Sequence, residues 1–106
     1  MNIHTTLGPG FSEDIDHRAV KGELMHAGIP FESQKEILVE YKGQQLGVYR
    51  LDLVVDGKIG VELKAVQELN ELFKQQVLSY LKVSHLKLGL LVNFGAPRLQ
   101  IHRIVH

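Results

Sequence analysis

The sequence contains no cysteine, which removes disulfide frameworks, thiolate nucleophiles and cysteine-ligated zinc together. It also lacks net charge, with 12 Lys plus Arg against 12 Asp plus Glu. Whole-molecule electrostatics therefore give no basic footprint for a nucleic acid. The only mild basic concentration is Arg98, His102, Arg103 and His106 near the C-terminus, a pattern that solvated end charges explain as well as phosphate contacts do. No apolar run approaches the roughly 18–20 residues of a membrane span. The N-terminal stretch MNIHTTLGPGF has neither a basic leader nor an apolar core of a signal sequence. These absences predict a cytoplasmic chain with no membrane partner. Phosphate-cradling glycine loops, serine-nucleophile motifs and HExxH are missing too. Of the six histidines, only His102 and His106 are four apart, in a segment that reads as a strand. A histidine zinc site is accordingly not expected.

What is present is 106 residues with 44% hydrophobic and 23% charged side chains. That is the length and apolar share of one domain, residues 1–106, with a core small enough to make a homodimer the simplest assembly. Ser12 followed by Glu13, Asp14 and Asp16 signals a helix from about 11 to 27, ended by Gly28, with Phe11, Ile15, Ala19, Val20, Leu24 and Ala27 as its buried stripe. Residues 31–41 and 48–55 read as antiparallel strands around a turn at Lys42-Gly43. Asp56-Gly57 is a hairpin signal leading into a third strand, 59–65. Leu69, Leu72, Phe73, Gln76, Val77, Tyr80 and Leu81 follow a 3.6-residue period, which predicts a helix over 66–83. The run 88–94 reads as a strand buried on both faces, parallel to the third, and 99–105 as a last strand. The order is α-β-β-β-α-β-β, an α/β sandwich with a mixed sheet flanked by two helices.

Three polar residues interrupt the apolar strands: Asp52, Glu62 and Lys64. Glu62 and Lys64, two apart on a strand, face one way and share one environment. Asp52 joins them only in the right register. A strict two-residue Asp56-Gly57 loop pairs 52 with 61 and sends Asp52 and Glu62 to opposite faces, whereas a three-residue or bulged connection brings them together. A common face would offer hard carboxylate oxygens to Mg²⁺ or Mn²⁺, with a lysine beside them to orient water and offset developing charge. The competing reading is a partly exposed ion-pair cluster that only supports the sheet.

The spacing Asp-x9-Glu-x-Lys within this order of elements resembles the PD-(D/E)XK nuclease superfamily. More narrowly, LGPGFSE at 7–13, YKGQQLGVYRLDLVVDGKIGVELKAV at 41–66, QVLSYLKVSHLKLGLLVNFG at 76–95 and RIV at 103–105 are similar to a small bacterial family named for its GxxExxY motif. The resemblance implies a restriction-endonuclease-like fold and a metal-dependent nuclease acting on DNA, with RNA the lesser candidate. It implies Mg²⁺ or Mn²⁺ held by Asp52 and Glu62, with the Val61 carbonyl as a further ligand. Lys64 would position the attacking water, and Glu13 of the first helix would complete the catalytic set. Gln76 and Tyr80 match a Gln-x-x-x-Tyr element set beside the site, in a substrate-contacting or supporting role. Bottom-up, Gln76 reads as the one fully polar member of the second helix's apolar stripe, hence a buried, hydrogen-bonded amide. His17, four residues after Glu13, is close enough to support it, but reads first as solvent-facing. Asp16 stands where the motif has its tyrosine, which favours a second reading: the same fold as a non-catalytic binding or assembly module.

Overall fold

Glu13, Asp14 and Asp16 open helix α1 (Glu13–His26), where the N-terminal dipole favours negative charge. The computed structural model describes residues 13–106, so the expected contributions of Phe11 and Ser12 lie outside the described residues. The helix ends in a Schellman closure. Gly28 takes φ +69°, its N–H bonds Met25 O and the Ile29 N–H bonds Leu24 O. Its buried face keeps Ala19, Val20 and Leu24 of the expected stripe, but Asp16 and His17 are buried as well, while Ile15 is 42% exposed and Ala27 exposed. The helix is rotated so that its first turn faces polar residues of the sheet rather than a hydrophobic floor.

Strands β1 (Phe31–Tyr41) and β2 (Gln44–Val55) form a hairpin through Lys42 and Gly43, both at positive φ. Positive φ at both central residues matches the right-handed strand twist and lets β2 start at Gln44 rather than Val48. Strand β3 (Ile59–Lys64) follows antiparallel to β2. Helix α2 (Glu71–Ser84) starts later than the periodicity suggests. Asn70 caps it by accepting the Phe73 N–H at 3.2 Å, so residues 67–70 lie outside the helix. His85, at φ +61°, closes the other end.

Strand β4 (Leu88–Asn93) pairs parallel to β3, and β5 (Gln100–Val105) antiparallel to β4. The sheet order is β1-β2-β3-β4-β5, the mixed sheet and α-β-β-β-α-β-β succession of a restriction-endonuclease-like core. Helix α1 covers one face, with Val20 and Leu24 against Leu53, Val61, Leu63, Val92 and Phe94. Helix α2 covers the other, with Val77 and Leu81 against Leu91. Gly60 and Gly89, partners across β3 and β4, make that approach possible. A Cβ at Gly89 would come within 2.9 Å of Val77.

One irregularity in β2 positions the polar residues of the sheet. Regular alternation would put Leu51 and Leu53 on one face of β2. Instead Leu53 joins the α1 core while Leu51 packs with Tyr80, Val83 and Leu86 beneath α2. The reversal falls at Asp52. Pairing runs Ser33↔Leu53 and then Lys35↔Leu51, skipping Gln34 and Asp52, and Gln34 sits at φ +54°. Among the described residues, no helix is long and apolar enough to cross a membrane.

Candidate active site

The β2–β3 connection is three residues long. Val55 pairs with Ile59 and Leu53 with Val61, so residues of equal parity face each other and Asp52 lines up with Glu62. This is the register that a shared site requires. The ladder stops at Leu53↔Val61, and side chains take over the next rungs. The Asp52 N–H donates to Glu62 Oε1 at 3.1 Å, and the Leu63 N–H donates to Asp52 Oδ2 at 2.7 Å. Each carboxylate thus satisfies the other strand's backbone, which lets two acids sit side by side in the sheet.

Glu62 is only 7% exposed. Burial, and then the neighbouring Asp52 carboxylate, push its carboxyl up from 4.5 to about 8; the Asp52 N–H and the Lys64 charge pull down, and Glu13 adds to the rise. Glu13 is the exposed first residue of α1 and lines a cavity of about 200 Å³ with Asp14, His17, Gln34, Asp52 and Leu63. Lys64 ends β3 half-buried, its Nζ 5.0 Å from the centre of the Phe73 ring of α2. That cation–π contact holds the ammonium at the edge of the site. Tyr80 is half-buried on the α2 side, its hydroxyl pushed up by burial and then by Glu62, Tyr49 and Asp52.

Glu13, Asp52, Glu62, Lys64 and Tyr80 therefore converge where β2 and β3 part. Gln76 does not behave as expected: it is exposed and lines a groove with Tyr49, Leu72, Gln75, Ser79 and Tyr80. The buried stripe of α2 is narrower than its period suggested, since Leu72 on the same flank is 59% exposed. Val61 lies within the ladder on both sides, opposite Leu53 and Leu90. Leu63, not Val61, lines the cavity beside Asp52.

Sequence reasoning missed four residues. His17 is buried, not solvent-facing, with Ser33 Oγ 3.3 Å from its Nε2 and Gln34 Nε2 3.4 Å from its Nδ1. A lone histidine on a helix carries no signal that partners 16 and 17 residues away will cover it. Phe73 reads as a plain core residue until Lys64 is placed over it. Tyr49 packs against Tyr80 with ring centres 5.0 Å apart. Asn93 is fully buried and clamps the exit of β3, accepting from Val66 N and Gly95 N and donating to Val66 O and Gln100 Oε1.

Two neighbouring carboxylates, Glu62 buried and Asp52 half-buried, with Glu62 held well above its ordinary range by burial and then by Asp52, form a donor set that suits a hard divalent cation. Mg²⁺ commonly takes one or two carboxylates and keeps several waters. Among the described residues no group of three or more His, Asp or Glu side chains is arranged to hold a metal. A mixed sheet with an Asp-Glu-Lys set at a strand divergence defines a nuclease-like class of domain. The family model of the PD-(D/E)XK nuclease superfamily matches residues 1–104, and the chain belongs to that superfamily, whose members usually use divalent metals. The fold is similar to the solved structure of SSO0001, with a TM-score of 0.70 at 24% identity over 89% of this chain and 50% of that one. The chain thus spans half the length of that protein. No curated protein matches the sequence.

Proposed function

We propose that this chain is a metal-dependent nuclease that hydrolyses phosphodiester bonds, with DNA preferred over RNA. The observation that carries the reading is the pair of hydrogen bonds by which Asp52 N–H donates to Glu62 Oε1 and Leu63 N–H donates to Asp52 Oδ2, holding two carboxylates side by side with Lys64 two residues along β3 from Glu62. Asp52 and Glu62 would hold Mg²⁺ or Mn²⁺, with the Val61 carbonyl as a further ligand. When bound, such an ion supplies Lewis acidity at the phosphoryl oxygen and lowers the pKa of water. Lys64, steadied by Phe73, orients the attacking water and offsets charge accumulating on the phosphoryl oxygens. Glu13, across the cavity from Asp52, accepts a hydrogen bond from that water. The stretches LGPGFSE and YRLDLVVDGKIGVELKAV support the GxxExxY branch, with Asp16, 2% exposed, in place of the motif tyrosine. A single cytoplasmic domain acting as a homodimer completes the proposal.

The test is cleavage of plasmid DNA with Mn²⁺ or Mg²⁺ against EDTA, comparing wild type with Asp52→Ala, Glu62→Ala and Lys64→Ala. Cation-dependent cleavage lost in all three variants supports the reading. Equal cleavage in the Asp52→Ala, Glu62→Ala and wild-type proteins refutes it. One observation favours a second reading, a non-catalytic binding or assembly module: Asp52 and Glu62 already serve the β2–β3 backbone with one oxygen each. Thermal melting separates the two, because an ion that binds only the folded form raises the midpoint, whereas a purely structural clasp leaves it unmoved by Mn²⁺.

A further inference from the structure

On the α2 side of the site, Tyr49 of β2 and Tyr80 of α2 meet with ring centres 5.0 Å apart and planes 50° from parallel. Tyr49 remains 48% exposed. With Leu72, Gln75, Gln76 and Ser79 they line an open groove of about 230 Å³. Tyr80 also packs against the cluster that holds Leu51, the residue next to Asp52 in β2. Tyr49 stands three residues before Asp52, about 10 Å along the strand. The groove therefore lies three residues along β2 from Asp52, and its lining is neutral.

Neutrality decides what it can hold. Nucleic-acid backbones, paired or unpaired, are held largely through Lys and Arg on phosphates, and neither lines this groove, so it does not hold backbone. A partly exposed tyrosine braced by a second ring is instead a stacking platform, and amides beside it can meet the polar edge of a base. We propose that this groove seats an unpaired nucleobase next to the scissile phosphate, so that the substrate is a single-stranded or frayed nucleic acid. The proposal rests on the nuclease reading and names its substrate class. Tyr49 carries the stacking, Tyr80 fixes the angle of Tyr49, and Gln76 addresses the base edge.

The experiment measures anisotropy of a fluorescein-labelled oligothymidylate, the same length of backbone with abasic sites, and a matched duplex, all in Ca²⁺ buffer. The proteins are wild type, Tyr49→Ala and Tyr49→Phe. The expected result is tighter binding of oligothymidylate than of duplex or abasic strand, a loss of about tenfold in Tyr49→Ala, and retention in Tyr49→Phe. Equal affinity for strand and duplex, no effect of Tyr49→Ala, or no binding at all overturns the subsite. Mn²⁺-dependent cleavage of the same probes keeps the two readings apart. Duplex cut as well as single strand by both wild type and Tyr49→Ala sinks the subsite and leaves the nuclease. Tyr49-dependent strand binding without cleavage sinks the nuclease and leaves the subsite.

Discussion

Replacing Glu62 by glutamine should stabilise the metal-free protein above neutral pH and do little in acid. The unfolded chain releases the Glu62 proton near 4.5, while burial beside Asp52 keeps it on the folded chain up to about 8. Between those values the folded state binds one more proton than the unfolded state, so stability falls as pH rises. The stabilising contribution of the protonated acid is fully present below 4.5 and lost by the time pH passes 8. At 1.36 kcal/mol per unit, about 3.5 units give a loss of roughly 4–5 kcal/mol, a large share of the about 5–15 kcal/mol of an ordinary domain. Glutamine keeps an Oε1 to accept the Asp52 N–H and removes the charge. Urea or thermal unfolding from pH 5 to pH 9 should show wild type declining relative to Glu62→Gln, the gap reaching roughly 20 °C in Tm. Mn²⁺ at pH 8 should close the gap from the wild-type side and release a proton, seen as a buffer-dependent heat in calorimetry. Parallel pH profiles for the two proteins would refute the reasoning, because they would mean that Glu62 ionises alike folded and unfolded.

Three further outcomes test the frame around the site. Gly95→Ala should destabilise by about 1–3 kcal/mol, read from the urea midpoint, because a Cβ there falls 2.4 Å from Val66 N and 2.5 Å from Ala65 C, both backbone. Asn93→Ala should cost about 3 kcal/mol, since it leaves Val66 N, Val66 O and Gly95 N in need of partners. Phe73→Leu should lower kcat for cleavage several-fold with little change in Mn²⁺ affinity, by releasing Lys64 from its cation–π contact; an equal fall in Mn²⁺ affinity would argue against that positioning role.

The fold was legible where local chemistry and period agree. The Asp56-Gly57 turn, the helical spacing through Val77 and Leu81, and the apolar run at 88–93 led directly to β3, α2 and β4. Asp52, Glu62 and Lys64 stood out because charge inside an apolar strand demands an explanation, and parity arithmetic stated what hairpin their meeting required. The illegible parts depend on distance in the chain. Gln76 was misjudged because a 3.6-residue period gives the direction of a helix face but not how far the sheet beneath it extends. His17 was misjudged because Ser33 and Gln34 come to it only after the hairpin has formed. The change of face at Asp52 was invisible, because a strand pattern cannot announce that its alternation inverts midway.

That inversion makes β2 a spine shared between two otherwise separate cores. Leu53 and Val55 anchor it under α1, and Leu51, with Val54, anchors it under α2. Asp52 is the seam between them. A truncation such as Val20→Ala on one face and one such as Val83→Ala on the other touch no common residue, yet both pull on the same peptide. Slack introduced in either core is delivered to the carboxylate at the seam, so selection for a well-held Asp52 doubles as selection for packing on both sides of the sheet.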